Sequence, residues 1–221
     1  VHEQVYASLE INREQWSMEN RFGDARLIHH GYQAEVVRDR NKVVRNLRLL
    51  EQANEEHPND VNLLMNLGLE LWRSGQQGPG LDYYQQSYQA LLQHPYAQTP
   101  PELREVLLTQ LASHLMTLQR HDEVVALFQD RAILPKDRTA SHHFMIGLAH
   151  SALKQWEPCV THLRHCLDLR DRPALTPIHP DIRRGTPAHC MAHALRKLGR
   201  KAEALAGYEQ ALRDEPANEA A

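Results

Sequence analysis

Several things this chain of 221 residues lacks narrow its function before any motif is considered. No apolar stretch approaches the ~20 residues that a membrane-spanning helix requires, so no membrane span is expected. Neither sign of charge dominates: 25 Lys and Arg face 28 Asp and Glu, for a formal net charge of -3. With no global positive field to draw in polyanions, no nucleic-acid partner is expected. Cysteine is scarce. Cys159, Cys166 and Cys190 are too few and too clustered for a disulfide framework, which points to a reducing, cytoplasmic compartment. Glycine-rich phosphate loops, nucleophile elbows and acid–base dyads are missing too, so no catalytic residue and no cofactor are assigned to this segment. The chain opens on Val1 with neither an initiator methionine nor the apolar core of a signal peptide, and is expected to be a piece of something longer.

The 12 prolines punctuate what is present, because a proline inside a helix removes a hydrogen bond and clashes with the preceding turn. Between them lie stretches such as 59–77, 101–119 and 187–198, with apolar residues every three or four positions. That spacing predicts amphipathic helices. Period-two alternation is nearly absent, and one short strand is expected at 25–32. A recurring frame joins the helices. Leu64, Leu67, Gly68 and Leu71 are followed by Gly80 and Tyr84; Leu108, Leu111, Ala112 and Leu115 by Val124 and Phe128. His143, Ile146, Gly147 and His150 precede Cys159 and Leu163, and Ala188, Met191, Ala192 and Leu195 precede Ala204 and Tyr208. In every copy 12 residues separate the small residue of the first helix from its counterpart in the second.

Small side chains at Gly68, Ala112, Gly147 and Ala192 fit places where two helices approach closely, and a bulky residue there would overpack at about 1–3 kcal/mol. Pro79 and Pro158 are expected at the first position of a second helix, where a missing N–H costs nothing. The pattern resembles the tetratricopeptide repeat, which implies an all-α, right-handed superhelical solenoid of helix hairpins. Its repeats would fall at about 58–94, 101–135, 137–169 and 181–216, after a half repeat at 34–57, within a repeat domain over 34–217. Nine helices or so are expected. Excess residues at 93–101 and 168–180 would project from one rim.

Residues 1–33 stand outside this frame and are read as the remnant of an upstream domain. Val1-His2-Glu3-Gln4, then Leu27-Ile28-His29-His30-Gly31-Tyr32, then Lys42 and Arg45-Asn46 through Leu49-Leu50-Glu51, resemble the junction in bacterial family 2 glycosyltransferases that carry tetratricopeptide repeats. The resemblance implies a nucleotide-sugar-binding α/β domain before the repeats. Such a transferase needs a D-x-D-like pair for its metal and sugar diphosphate. No two aspartates here stand two residues apart, so the catalytic centre would lie upstream.

His189 and His193, four apart beside Cys190, could share a helix face toward one Zn²⁺. Arg196 and Lys197 on the next turn repel a cation, and no metal is assigned. His162, His165 and Cys166 form a second cluster, with Cys159 and Cys166 at packing places. The basic stripe Arg38, Lys42, Arg45 and Arg48 reads as a solvated face. What remains is the groove that stacked first helices line, suited to a protein or peptide partner, or to the chain's own upstream catalytic domain. Residues off the packing frame are expected to face it: Asn62, Met65, Asn66, Leu69, Trp72 and Arg73, then Thr109, Gln110, Ser113 and Met116. Phe144, Leu148 and Ser151 follow, with His189, His193 and Arg196 at the far end. Trp72 is the expected hot spot.

Overall fold

The computed structural model describes residues 42–174 and 176–215. The expected strand at 25–32, the junction motifs before Lys42 and residues 34–41 of the half repeat lie outside the described residues. Every regular element among the described residues is helical. The helices are α1 (Lys42–Glu56), α2 (Val61–Arg73), α3 (Gln77–Gln93), α4 (Pro101–Thr117), α5 (His121–Gln129), α6 (Ala140–Ala152), α7 (Trp156–Leu169), α8 (Pro180–Arg183), α9 (Thr186–Lys197) and α10 (Lys201–Asp214). Helices α2 with α3, α4 with α5, α6 with α7 and α9 with α10 form successive hairpins, and the second helix of each packs on the first helix of the next. This is the expected solenoid. The short α8, packed against α6 and α9, is the element the repeat frame did not anticipate.

Local chemistry sets the helix boundaries. Asp60 caps α2 by accepting from the Leu63 amide at 2.8 Å, and at the start of α6 the Thr139 amide donates to His142 Nδ1 at 3.2 Å. Pro101 and Pro180 open α4 and α8 at the first helical position. Pro79 and Pro158 do not: α3 begins at Gln77 and α7 at Trp156, which puts both prolines in third place. They are tolerated there because the N–H groups of the whole first turn lack intrahelical partners. Each hairpin turn requires one residue in the left-handed region, seven beyond the small residue of the frame. It is supplied by Gly75 (φ 86°), Gln119 (φ 57°), Lys154 (φ 58°) and Gly199 (φ 78°). Two repeats therefore carry a side chain where glycine is favoured.

The frame residues pack as their size suggests. A Cβ on Gly68 would meet Tyr84 Cδ2 at 2.7 Å and the Gly80 carbonyl oxygen at 2.9 Å, and one on Gly147 would meet Leu163 Cγ at 2.7 Å. One apolar cluster runs from Val61 to Ala149 through Tyr84, Leu108 and Phe128. A second gathers Ala140, Phe144, Leu163, Ile182, Met191 and Leu195.

Candidate interaction surface

The four first helices α2, α4, α6 and α9 carry the residues expected to face the groove. Asn62, Arg73, His189 and Arg196 are exposed, and Met65, Asn66, Leu69, Trp72, Thr109, Gln110, Ser113, Met116, Leu148, Ser151 and His193 are half-buried. Phe144 departs from the expectation. It is buried in the second cluster with Ile182 and Met191, because the unforeseen α8 lays Ile182 against that region. Within the surface, the Asn66 amide donates to the Asn62 carbonyl oxygen at 2.8 Å. Arg73 lies 3.4 Å from the buried Glu70 carboxylate, which also accepts from Asn46 of α1.

Trp72 has a structural task in addition to its exposure. Its ring stacks on His114 at 3.8 Å between centroids, and His114 meets Tyr84 at 4.7 Å on its way into the core. The stack bridges the first and second hairpins. His114 is buried and its Nε2 finds no hydrogen-bond partner among the described residues. Burial pushes its pKa down to about 4, so the ring is neutral near pH 7. Position 114 falls two residues beyond Ala112, as do Glu70, Ala149 and Ala194 beyond their own small residues, and all four are buried. That periodicity was available in the sequence as a sign that His114 is core.

The third hairpin holds a tier of histidines. His143 and His162 lie 3.0 Å apart through their Nδ1 atoms, a separation that requires one ring to donate and the other to accept. His165 packs 5.0 Å from His143, and His150 packs 5.6 Å from His162. Burial first, then neighbouring charge that includes Arg138, pushes His143 down to about 3 and His162 to about 4. His142, fully enclosed beside Phe128, is pushed down to about 4 by burial. His162 and His165 were legible as a cluster in sequence. Their partners His143 and His150 were not, because they arrive from the preceding helix.

Among the described residues no group of three or more His, Cys, Asp or Glu is placed to hold a metal ion. His189 packs edge-on against Tyr208 and His193 against Trp156. The three cysteines are free, with Cys159 and Cys166 buried. Burial pushes the Cys159 thiol up to about 11 and that of Cys166 to about 12, so neither is a thiolate nucleophile near neutrality. No described helix is long and apolar enough to cross a membrane.

The class these features define is a solenoid of tetratricopeptide-like helical hairpins. No family model and no curated protein matches the chain. Solved structures do. MamA 41-end from Desulfovibrio magneticus RS-1 superposes with a TM-score of 0.60 at 13% identity, over 81% of this chain and 89% of that one. MamA AMB-1 gives 0.59 at 19% identity, over 80% of this chain and 92% of that one. Another MamA crystal structure gives 0.60 at 15% identity, over 86% and 96%. At these identities the likeness is one of fold.

Proposed function

We propose that this chain is a protein-interaction scaffold that captures an extended peptide or a helix of its partner on the concave face lined by α2, α4, α6 and α9, and that it performs no catalysis of its own. The observation that carries this reading is the run of half-exposed amide, hydroxyl and apolar side chains along those four helices. Asn66, Gln110 and Ser113 can hydrogen-bond a peptide backbone, while Leu69, Met116 and Leu148 offer apolar contact. The buried, protonated thiols suit a reducing, cytoplasmic setting. The segment is the non-catalytic repeat region of a family 2 glycosyltransferase, positioning the catalytic domain or its protein acceptor, a reading supported by the motifs from Val1 to Glu51.

The coding sequence upstream of Val1 tests the transferase reading. An α/β domain bearing D-x-D supports it, whereas an initiation codon shortly before Val1 leaves a stand-alone adaptor. Calorimetry on this segment should show no nucleotide-sugar binding, and turnover by the segment would refute the non-catalytic assignment. Charge insertion by Ser113→Arg, at a half-exposed position, should abolish capture of the upstream domain or acceptor with no loss of helicity. Undiminished capture would remove the groove from the account.

A further inference from the structure

Stacking in this solenoid uses the same two frame positions in every hairpin. Counted from Gly80, Val124, Cys159 and Ala204, the next residue is Leu81, Val125, Val160 and Leu205, and the eighth is Tyr88, Ala132, Leu167 and Leu212. In the first three hairpins these side chains are buried or half-buried within the two apolar clusters, where the second helix of each hairpin packs on the first helix of the next. In the fourth they are uncovered. Leu205 is 60% exposed and Leu212 is 77% exposed.

A single exposed leucine carries no message, but these two stand seven residues apart on one face of α10. The charges nearby are neutralised or balanced. Arg200 holds Glu203 through two N–H bonds at 2.5 and 2.6 Å, Arg170 holds Asp214 at 2.7 Å, and the exposed Lys201 and Glu209 that flank the leucines are of opposite sign. A terminal repeat that closes a solenoid carries polar residues on its outer face. With leucine at both stacking positions, the outer face of α10 keeps the chemistry of a surface on which a further helix packs.

The chain itself shows which helix fits. Its last hairpin repeats the first, Leu205, Tyr208 and Leu212 matching Leu81, Tyr84 and Tyr88. The first is covered by α4, whose Leu108, Leu111 and Leu115 are buried in the shared cluster. A second copy is a poorer occupant. An antiparallel pair that sets Leu205 of one copy on Leu212 of the other brings both Glu209 carboxylates together at its centre. Among the described residues no first helix stands free to insert, since α2 is covered by α1, α4 by α3, α6 by α5 and α9 by α7.

We propose that the outer face of α10 docks an amphipathic helix of a partner protein, one bearing leucines at the spacing of Leu108, Leu111 and Leu115, which joins the stack as a further first helix. The surface is separate from the groove, whose expected residues end at Arg196, before α10 begins.

A fluorescein-labelled peptide with the sequence of residues 101–118 supplies such a helix, and fluorescence anisotropy follows its titration with the protein. Saturable binding is expected, with none to the same peptide carrying Leu108→Asp, Leu111→Asp and Leu115→Asp. In the protein, Leu205→Glu and Leu212→Glu should each weaken binding at least tenfold at unchanged Tm, because both positions are exposed. Ser113→Arg, which obstructs the groove, should leave it intact. Absence of binding overturns the proposal. So does binding that ignores both leucine variants, the result expected if the peptide displaced α4, and so does loss with Ser113→Arg alone. A dimer in sedimentation velocity that Leu205→Glu dissolves would make a second copy the occupant and overturn the partner assignment. Refusal of the peptide by the full product of the coding sequence would do the same in favour of a helix from the same chain.

Discussion

Acid should loosen this fold well above the pH at which carboxylates titrate. His114 and His142 are both buried, and burial lowers each to about 4, whereas an unfolded chain returns them to about 6.5. Between those values the unfolded state binds protons that the folded state does not. Stability is therefore fully present above about pH 6.5 and falls as the pH drops toward about 4. At about pH 5 each ring costs about 2 kcal/mol, so the two together remove about 4 kcal/mol from a total on the order of 5–15 kcal/mol. The His143 and His162 pair adds in the same direction, since a second proton would set two cations face to face. Urea unfolding followed by circular dichroism at about pH 7.5 and about pH 5 should show a lower midpoint in acid with a similar slope. His114→Phe keeps an aromatic ring between Trp72 and Tyr84 but cannot accept a proton, so it should recover about 2 kcal/mol of the acid loss. A wild-type difference below about 1 kcal/mol, or an unchanged acid loss in His114→Phe, would refute the reasoning.

Three further outcomes follow from the packing. Gly147→Leu drives a side chain into Leu163, already 2.7 Å from an added Cβ, and should cost about 1–3 kcal/mol or more, lowering Tm by about 2–4 °C per kcal/mol. An unchanged melting curve would mean that the third hairpin is out of register. Trp72→Ala should weaken groove binding and also cost about 2 kcal/mol in chemical unfolding, because the ring stacks on His114; a binding defect at full stability would confine it to the surface. Lys154→Gly relieves the left-handed φ of 58° and should raise stability by about 0.5–1 kcal/mol, net of the entropy glycine loses on folding. No gain on thermal denaturation would show that the turn carries no strain.

How far the sequence reached depended on whether a contact lies inside one repeat or between repeats. Gly68 against Tyr84 and Gly147 against Leu163 are contacts within a hairpin, at fixed separation along the chain, so periodicity alone exposed them. The stack of Trp72 on His114 joins residues 42 apart in sequence in adjacent hairpins. No spacing rule pairs them, and the tryptophan read as surface alone. The same holds for Phe144, which the frame points outward and which Ile182 of an unpredicted four-residue helix draws into the core.

The residues in excess of the repeat period are mostly exposed, and some of them also fasten one hairpin to the next. In the first connection Tyr96 donates its hydroxyl to Asp137 at 2.8 Å and Arg104 lies 3.7 Å over its ring while also donating to its carbonyl oxygen. One insertion thereby ties α4 to the turn that precedes α6. In the second, the buried Arg170 donates to the Arg184 carbonyl oxygen at 3.1 Å and to the Asp214 carboxylate at 2.7 Å, joining the end of α7 to the end of α10. Both connections span from one hairpin to the next. A solenoid is held by nearest-neighbour interfaces, and this one has a small interface to stabilise where α5 is short. Polar staples fastened outside the helices therefore add to the contact between successive hairpins.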